Sequence, residues 1–145
     1  MTTLDGAARH QAREAALQML YQWEVGRVTP EEAVSTYWPS RDRDEAIGED
    51  AREFADALVL GTVGRVGEAD GLIATHARNW RVERMAVIDR LVLRMAIYEL
   101  LAEPPTPAKV VINEAIELAR TFSGEDAVPF VNGILDAVRK TLGRD

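Results

Sequence analysis

The chain has 145 residues, 47% of them hydrophobic and 28% charged, with a formal net charge of −7 at pH 7 and no cysteine. This length suits one domain or two small helical subdomains, and the negative charge argues against a free-standing nucleic-acid binder, whose usual footprint is a basic surface. Disulfides and thiolate metal sites are excluded, and the lack of a signal peptide or a membrane-length apolar run predicts a cytoplasmic protein.

Apolar residues at helical spacing predict the elements of the first half. The spacing favours a first helix from Ala8 to Trp23, which Gly26 ends. The stretch Thr29–Glu32 (TPEE) is a capping box with proline in the first turn, so a short helix should follow and stop before Pro39. After a charged connection at residues 40–50, a longer helix should bury Ala51, Phe54, Ala55, Leu58, Val59 and Val63.

Closely spaced glycines mark the expected boundary between two subdomains. They stand at positions 61, 64 and 67, where each weakens a helix by around 1 kcal/mol relative to alanine. We therefore place the N-terminal bundle at residues 1–66 and the C-terminal bundle at residues 67–145. The glycines do not follow a strand in a βαβ unit, so a dinucleotide site is not expected.

Four further helices are expected in the second half. A short one spans Ala69–His76, and Glu83–Leu101 is apolar around most of its circumference, as a buried central helix would be. After a proline-rich break, Thr106 should cap a helix that buries Ile112, Ala115, Ile116, Ala119 and Phe122.

The last helix contains Asn132-Gly133, which between strands would be a turn signal. Gly124 is expected to end the preceding helix, and Pro129 falls in a first turn, where its missing N–H is harmless. The run from Pro129 to Leu142 is therefore predicted to be helical. In this interpretation Gly133 permits a close crossing with another helix.

Four sequence blocks together resemble the NusB family of transcription antitermination factors. They are AREAALQMLYQW at 12–23, DRLVLRMAIYEL at 89–100, KVVINEAIELA at 109–119 and GEDAVPFVNGILD at 124–136. The blocks come in the family's order and span nearly the whole chain. The resemblance implies an all-α fold of two small helical bundles packed across one another and a role without catalysis. It also implies binding of boxA RNA together with the ribosomal protein NusE, so that RNA polymerase elongates through ribosomal RNA genes.

The residues themselves offer one cationic strip for RNA. Arg9 and Arg13 are one helical turn apart and share a face, with His10 beside them. The strip suits phosphates, although a merely solvated helix face is the alternative. The family carries a denser arginine cluster here, and His10 and Gln11 interrupt it in this chain.

Further site residues are implied mainly by the resemblance. Tyr21 and Phe130 are aromatic and could stack on bases, with burial in the core as the alternative. By resemblance, Lys109, Asp126 and Phe130 belong to the RNA side. The resemblance assigns two acidic residues, Glu83 and Asp89, to the side that meets NusE, with a solvated helix face as the alternative for both.

No pattern indicates catalysis or a metal. His10 and His76 are far apart, and the sequence has neither a His-Glu-x-x-His motif nor a phosphate-binding glycine loop. No cofactor is expected. Two functions are weighed: an RNA-binding adaptor acting with NusE, and a protein-binding helical module without direct RNA contact. Exposed apolar residues on the first or last helix are also compatible with a homodimer, which the sequence leaves open.

Overall fold

The computed structural model describes residues 5–41, 47–102 and 105–145, and all regular structure in these ranges is helical. This confirms the predicted all-α class. Residues 42–46 of the expected charged connection and residues 103–104 at the start of the expected proline break lie outside the described residues. Seven α-helices are described: α1 (Gly6–Gly26), α2 (Pro30–Tyr37), α3 (Glu49–Gly64), α4 (Val66–His76), α5 (Val87–Leu101), α6 (Ala108–Phe122) and α7 (Val128–Thr141).

The helices form two compact units, residues 1–64 and 65–145. The first unit contains α1, α2 and α3, and the second contains α4 to α7. Short 3-10 turns occupy Trp38–Ser40, Val82–Arg84 and Glu125–Ala127. Among the described residues, no helix combines the length and apolarity that crossing a membrane requires.

In the first unit α1 packs against both α2 and α3, and α2 also contacts α3. The carboxylate of Asp5 accepts a hydrogen bond from the backbone N–H of Ala8 at 2.7 Å and caps α1. Thr29 caps α2 by accepting from the N–H of Glu32 at 3.1 Å, which confirms the predicted start of that helix. The buried face of α1 is rich in small residues, which allow helices to approach closely: Ala12, Ala15, Ala16, Leu17, Met19 and Leu20.

Two aromatic side chains fix α2 to its neighbours through polar contacts. The Tyr37 hydroxyl donates to Gln18 of α1 at 2.8 Å, and Trp38, just after α2, donates its indole N–H to Asp56 of α3 at 2.9 Å. Burial raises the pKa of Asp56, while the indole N–H and the Arg52 guanidinium act in the opposite direction. These bonds are side-chain specific, so they determine which face of α2 meets the other two helices.

The second unit is built around α5, which contacts α4, α6 and α7. Every residue from Arg90 to Ile97 is buried, in agreement with the predicted central helix. The expected start at Glu83 is wrong, because Ala86 is extended and α5 begins only at Val87. At the other end, Arg144 donates to the carbonyl oxygen of Leu100, and so satisfies a group that the last turn leaves without a helical partner.

A buried ion pair ties α4 to α5. The Arg94 guanidinium donates from Nε and Nη2 to the two carboxylate oxygens of Asp70, at 2.8 and 2.9 Å. The Arg94 side chain is only 9% exposed and that of Asp70 is 31% exposed. Burying a guanidinium is costly unless its charge is balanced, and Asp70 supplies a carboxylate that balances Arg94.

One prediction about a helix end needs correction. Thr106 does not cap α6, because Pro107 occupies the capping position with extended backbone and the helix begins at Ala108. Gly124 does follow α6 as expected, with φ of 135°, a value that favours glycine. The three residues after it form a 3-10 turn, and α7 then carries Pro129 in its first turn as predicted.

Gly133 does not mediate a helix crossing, contrary to the sequence-based interpretation. A Cβ atom built at this position meets nothing within 4 Å, and both Asn132 and Gly133 are exposed. The buried face of α7 consists of other residues, namely Val131, Ile134, Leu135 and Val138. Apolar spacing located the buried stripe correctly, but it did not show that the glycine lies opposite that stripe.

We predict that Asp70→Asn lowers the free energy of unfolding by roughly 2 kcal/mol, because it leaves the buried Arg94 charge without its carboxylate. Glu68→Gln is the matched control on the same helix, since Glu68 and its partner Arg65 are 48% and 41% exposed. That control should change stability by less than about 1 kcal/mol. Urea titration measures both, and equal losses in the two variants would contradict the assigned role of Asp70.

We also predict that Gly133→Ala stabilises the protein, by up to about 1 kcal/mol, because alanine is the better helix former and the added methyl group meets open space. Thermal and urea unfolding of the variant would measure the change. A loss of stability would show that the exposed position of Gly133 is incorrect.

Candidate functional site

Arg9 and Arg13 share one face of α1, as their spacing predicted, and both lie over the ring of Phe54 in α3. Their guanidinium carbons are 5.8 and 5.3 Å from the ring centroid, respectively. At these distances the negative face of the ring attracts both cations. Phe54 therefore draws the two arginines toward α3.

Arg13 is 2% exposed, so the expectation that it lies in an open cationic strip is wrong. Helical spacing shows which residues share a face, but not that another helix covers this face. Arg9 is partly buried, and its Nε is buried without a hydrogen-bond partner in the described part of the chain. Of the two arginines, Arg9 is the one with surface left for a ligand.

His10 and Tyr21, the other two predicted site residues on α1, both have exposed surface. His10 lies 3.0 Å from Glu14, with its side chain 36% exposed, so a carboxylate accompanies the exposed part of the expected strip. Tyr21 is 39% exposed, which excludes the alternative that it belongs to the core. Tyr21 does not adjoin the cationic strip at Arg9, because the two residues lie toward opposite ends of the 21-residue helix α1.

In the second unit a groove of 370 Å³, here called the aromatic groove, brings three predicted residues together. Asp89, Asp126 and Phe130 line it, along with Trp80, Arg84, Met85, Ala86, Ser123 and Ala127. The Trp80 and Phe130 rings are in edge-to-face contact at one side of the groove, with centroids 6.0 Å apart and planes inclined at 68°. The groove therefore joins Asp89, assigned to the partner side, with Asp126 and Phe130, assigned to the RNA side.

The two carboxylates of the groove differ in their surroundings. Asp126 is exposed in the 3-10 turn before α7. Asp89 is in the first turn of α5, where the helix dipole favours a negative charge, and its Oδ1 is buried without a hydrogen-bond partner among the described residues. Because this oxygen is inaccessible to solvent, only the rest of the Asp89 carboxyl group can meet an occupant of the groove.

Lys109 and Glu83 are both exposed, outside the aromatic groove. Lys109 is the second residue of α6, where the positive end of the helix dipole disfavours a cation. Glu83 is in the turn Val82–Arg84, whose carbonyl groups at 82 and 83 accept from the buried Arg90 at 3.3 and 3.4 Å. Arg90 thus holds this turn on α5.

Sequence reasoning missed Trp80 and Arg84 as site residues and treated Phe54 only as core. The signal for the first two was present, because Arg78, Trp80, Arg81 and Arg84 alternate basic and aromatic character within seven residues. No local pattern could have identified Phe54 as the partner of α1, since that contact joins distant parts of the chain. In the described ranges, no group of three or more metal-binding side chains is present.

Comparison with known proteins places these surfaces in context. The model of the NusB family matches residues 10–140. The transcription antitermination protein NusB of Solibacter usitatus is 46% identical over 136 residues, which cover 94% of this chain and 91% of that relative.

Two solved structures share the fold. NusB of T. maritima is 35% identical with a TM-score of 0.79, over 97% of this chain and 93% of that one. A crystal structure of the antitermination factors NusB and NusE with double-stranded RNA contains a chain that is 27% identical with a TM-score of 0.80. The match covers 94% of this chain and 99% of that one.

We predict that Arg13→Gln lowers the free energy of unfolding by roughly 2 kcal/mol, because it removes a buried side chain that packs on Phe54. Arg9→Gln should cost clearly less, since Arg9 keeps part of its surface in water. Urea titration of both variants tests this order. The reverse order would contradict the burial described for Arg13.

Proposed function

The chain belongs to the NusB family, and on that basis we propose that it is an RNA-binding adaptor of transcription antitermination. In this role it binds boxA RNA together with a NusE-type ribosomal protein and supports elongation by RNA polymerase through ribosomal RNA genes. The observation that carries the proposal is the agreement of both sequence and fold, over nearly the whole chain, with NusB proteins that include one in complex with NusE and RNA.

The net charge of the chain favours an RNA site that is shared with a partner protein over a site that this chain forms alone. At a net charge of −7, the protein as a whole repels a polyanion, so exposed cations such as Lys109 must act locally. If about three phosphates were neutralised, the salt exponent for single strands would be about 2, and a roughly fourfold rise in salt would weaken binding roughly 16-fold. A basic partner protein would both offset the acidic surface and add contacts to phosphates.

Among the cations that the sequence predicted as site residues, Lys109 is the best suited to contact RNA directly. It is exposed at the N-terminal end of α6, where helix electrostatics give it no stabilising role. A positive charge in this position is therefore better explained by a ligand than by folding. Arg9 is the second choice, because it is partly exposed whereas Arg13 is buried.

The proposed role is not catalytic and belongs to the cytoplasm, where transcription takes place in bacteria. The alternative function is a helical module that binds only protein. The exposed and partly exposed acids Glu83 and Asp89 fit a basic protein partner under either function. Direct RNA contact is therefore the property that distinguishes the RNA-binding adaptor from the protein-binding module.

We predict that boxA RNA binds weakly to the protein alone and more tightly when a NusE-type protein is present. Fluorescence anisotropy at two salt concentrations, with single-stranded and double-stranded RNA in separate titrations, measures affinity and salt exponent. Equal RNA affinity with and without the partner would count against the adaptor. Binding of the partner with no contribution of this chain to RNA affinity would favour the protein-binding module.

Lys109→Gln tests the RNA contact without disturbing the fold. We expect unchanged or slightly higher stability, and a salt exponent for single-stranded RNA that falls by about 0.7. Lys140→Gln is the matched control, because Lys140 is exposed at the end of α7 and pairs with Asp136 at 3.2 Å. Equal reductions in the two variants would indicate a general charge effect in place of a contact.

A further inference from the structure

Trp80 stands between two cavities of the second unit, with 58% of its surface exposed. On one side is the aromatic groove, where the Trp80 ring contacts Phe130 edge to face. On the other side is a cavity of 480 Å³, here called the arginine cavity, lined by Arg78, Asn79, Trp80, Arg81 and Glu83 together with Ala74, Ala77 and Val82. One exposed indole ring is thus shared by an apolar groove and a basic cavity.

The arginines around Trp80 differ from most others in this unit. Arg65, Arg120 and Arg139 each pair with a nearby carboxylate. The exposed side chains of Arg78, Arg81 and Arg84, in contrast, form no hydrogen bond or ion pair with any other described residue. Their charges are therefore available to a ligand.

We propose that Trp80 is a stacking platform for one base of a single-stranded RNA, and that Arg78 and Arg81 bind the adjoining phosphates. Exposed aromatic rings beside cationic grooves are the usual means by which proteins bind single strands. The base stacks on the exposed face of the Trp80 ring, which Phe130 supports by its edge-to-face contact, and the backbone crosses the arginine cavity. This inference rests on the proposed function and adds to it a site on the loop before α5.

The free arginines around Trp80 fit RNA better than they fit a basic protein. Free guanidinium groups at Arg78, Arg81 and Arg84 repel a cationic partner and attract phosphates. Asp89 and Asp126 line the groove, and their carboxylates can accept hydrogen bonds from base amino or imino groups.

The loop that carries Trp80 is held in place before any ligand arrives. The backbone N–H of Trp80 donates to the carbonyl oxygen of Ala77 at 3.0 Å. Arg90, buried in α5, donates to the carbonyl oxygens of Val82 and Glu83. A fixed loop reduces the ordering cost of binding, so the stacking energy is retained in the affinity.

The first test compares Trp80→Ala and Trp80→Phe in titrations of single-stranded boxA RNA, with the NusE-type protein present. We expect Trp80→Ala to weaken RNA binding roughly 10-fold and Trp80→Phe by less than about threefold, because phenylalanine keeps a ring for stacking. Both variants should retain the unfolding midpoint of the parent, since the indole is mostly exposed. Unchanged affinity in Trp80→Ala would overturn the inference.

A double-mutant cycle identifies the stacked base. Single abasic positions are introduced along the RNA and each is titrated against the parent protein and Trp80→Ala. At one position, loss of the base should weaken binding to the parent roughly 10-fold and have little further effect on Trp80→Ala. Additive losses at every position would exclude stacking on Trp80.

Phosphate binding is tested by Arg78→Gln and Arg81→Gln, with Lys140→Gln as the control. Each arginine variant should lower the salt exponent by about 0.7, and the control should leave it unchanged.

If Trp80→Ala instead weakens binding of the NusE-type protein in the absence of RNA, the loop is a protein-binding surface and the inference is wrong. If the parent binds RNA and the loop variants match it, the inference fails while the proposed function stands. If the parent does not bind RNA at all, both fail.

Discussion

The second unit depends on the near-complete burial of α5. A helix buried on almost every side normally excludes charged residues, yet α5 contains Arg90, Arg94 and Glu99 at 8%, 8% and 6% exposure. The two arginines serve as connectors. Arg94 reaches Asp70 on α4, and Arg90 reaches the carbonyl groups of the turn before α5. Arg90 thereby fixes the turn beside the aromatic groove, and Arg94 fixes α4 against the same central helix.

The first unit shows a different use of buried charge. Arg13 lies over Phe54 and is withdrawn from solvent, while Arg9 lies over the same ring and remains partly accessible. Of these two arginines one helical turn apart, Arg13 therefore packs in the interior and Arg9 remains at the surface. Loss of RNA binding in a variant of Arg13 would not by itself identify a contact, because a buried cation that packs on an aromatic ring also affects folding. Lys109 has no such double role.

The sequence predicted the helices well because apolar spacing, capping residues and proline positions are local properties. The Thr29 cap and the position of Pro129 in α7 are examples. Features that depend on contacts between distant elements were not predictable in the same way. The burial of Arg13, the exposed position of Gly133 and the meeting of Asp89 with Phe130 in one groove all require the tertiary arrangement. The resemblance to NusB supplied site residues, but not their surroundings.

The attachment of the turn at Val82–Arg84 has a consequence for how this surface can change during evolution. Arg90 holds the turn through main-chain carbonyl oxygens, which every amino acid provides. Side chains that point outward from the loop can therefore be exchanged while the path of the backbone is conserved. Homologous proteins could present different chemical groups from the same scaffold, and so match a co-evolving ligand without rebuilding the interior.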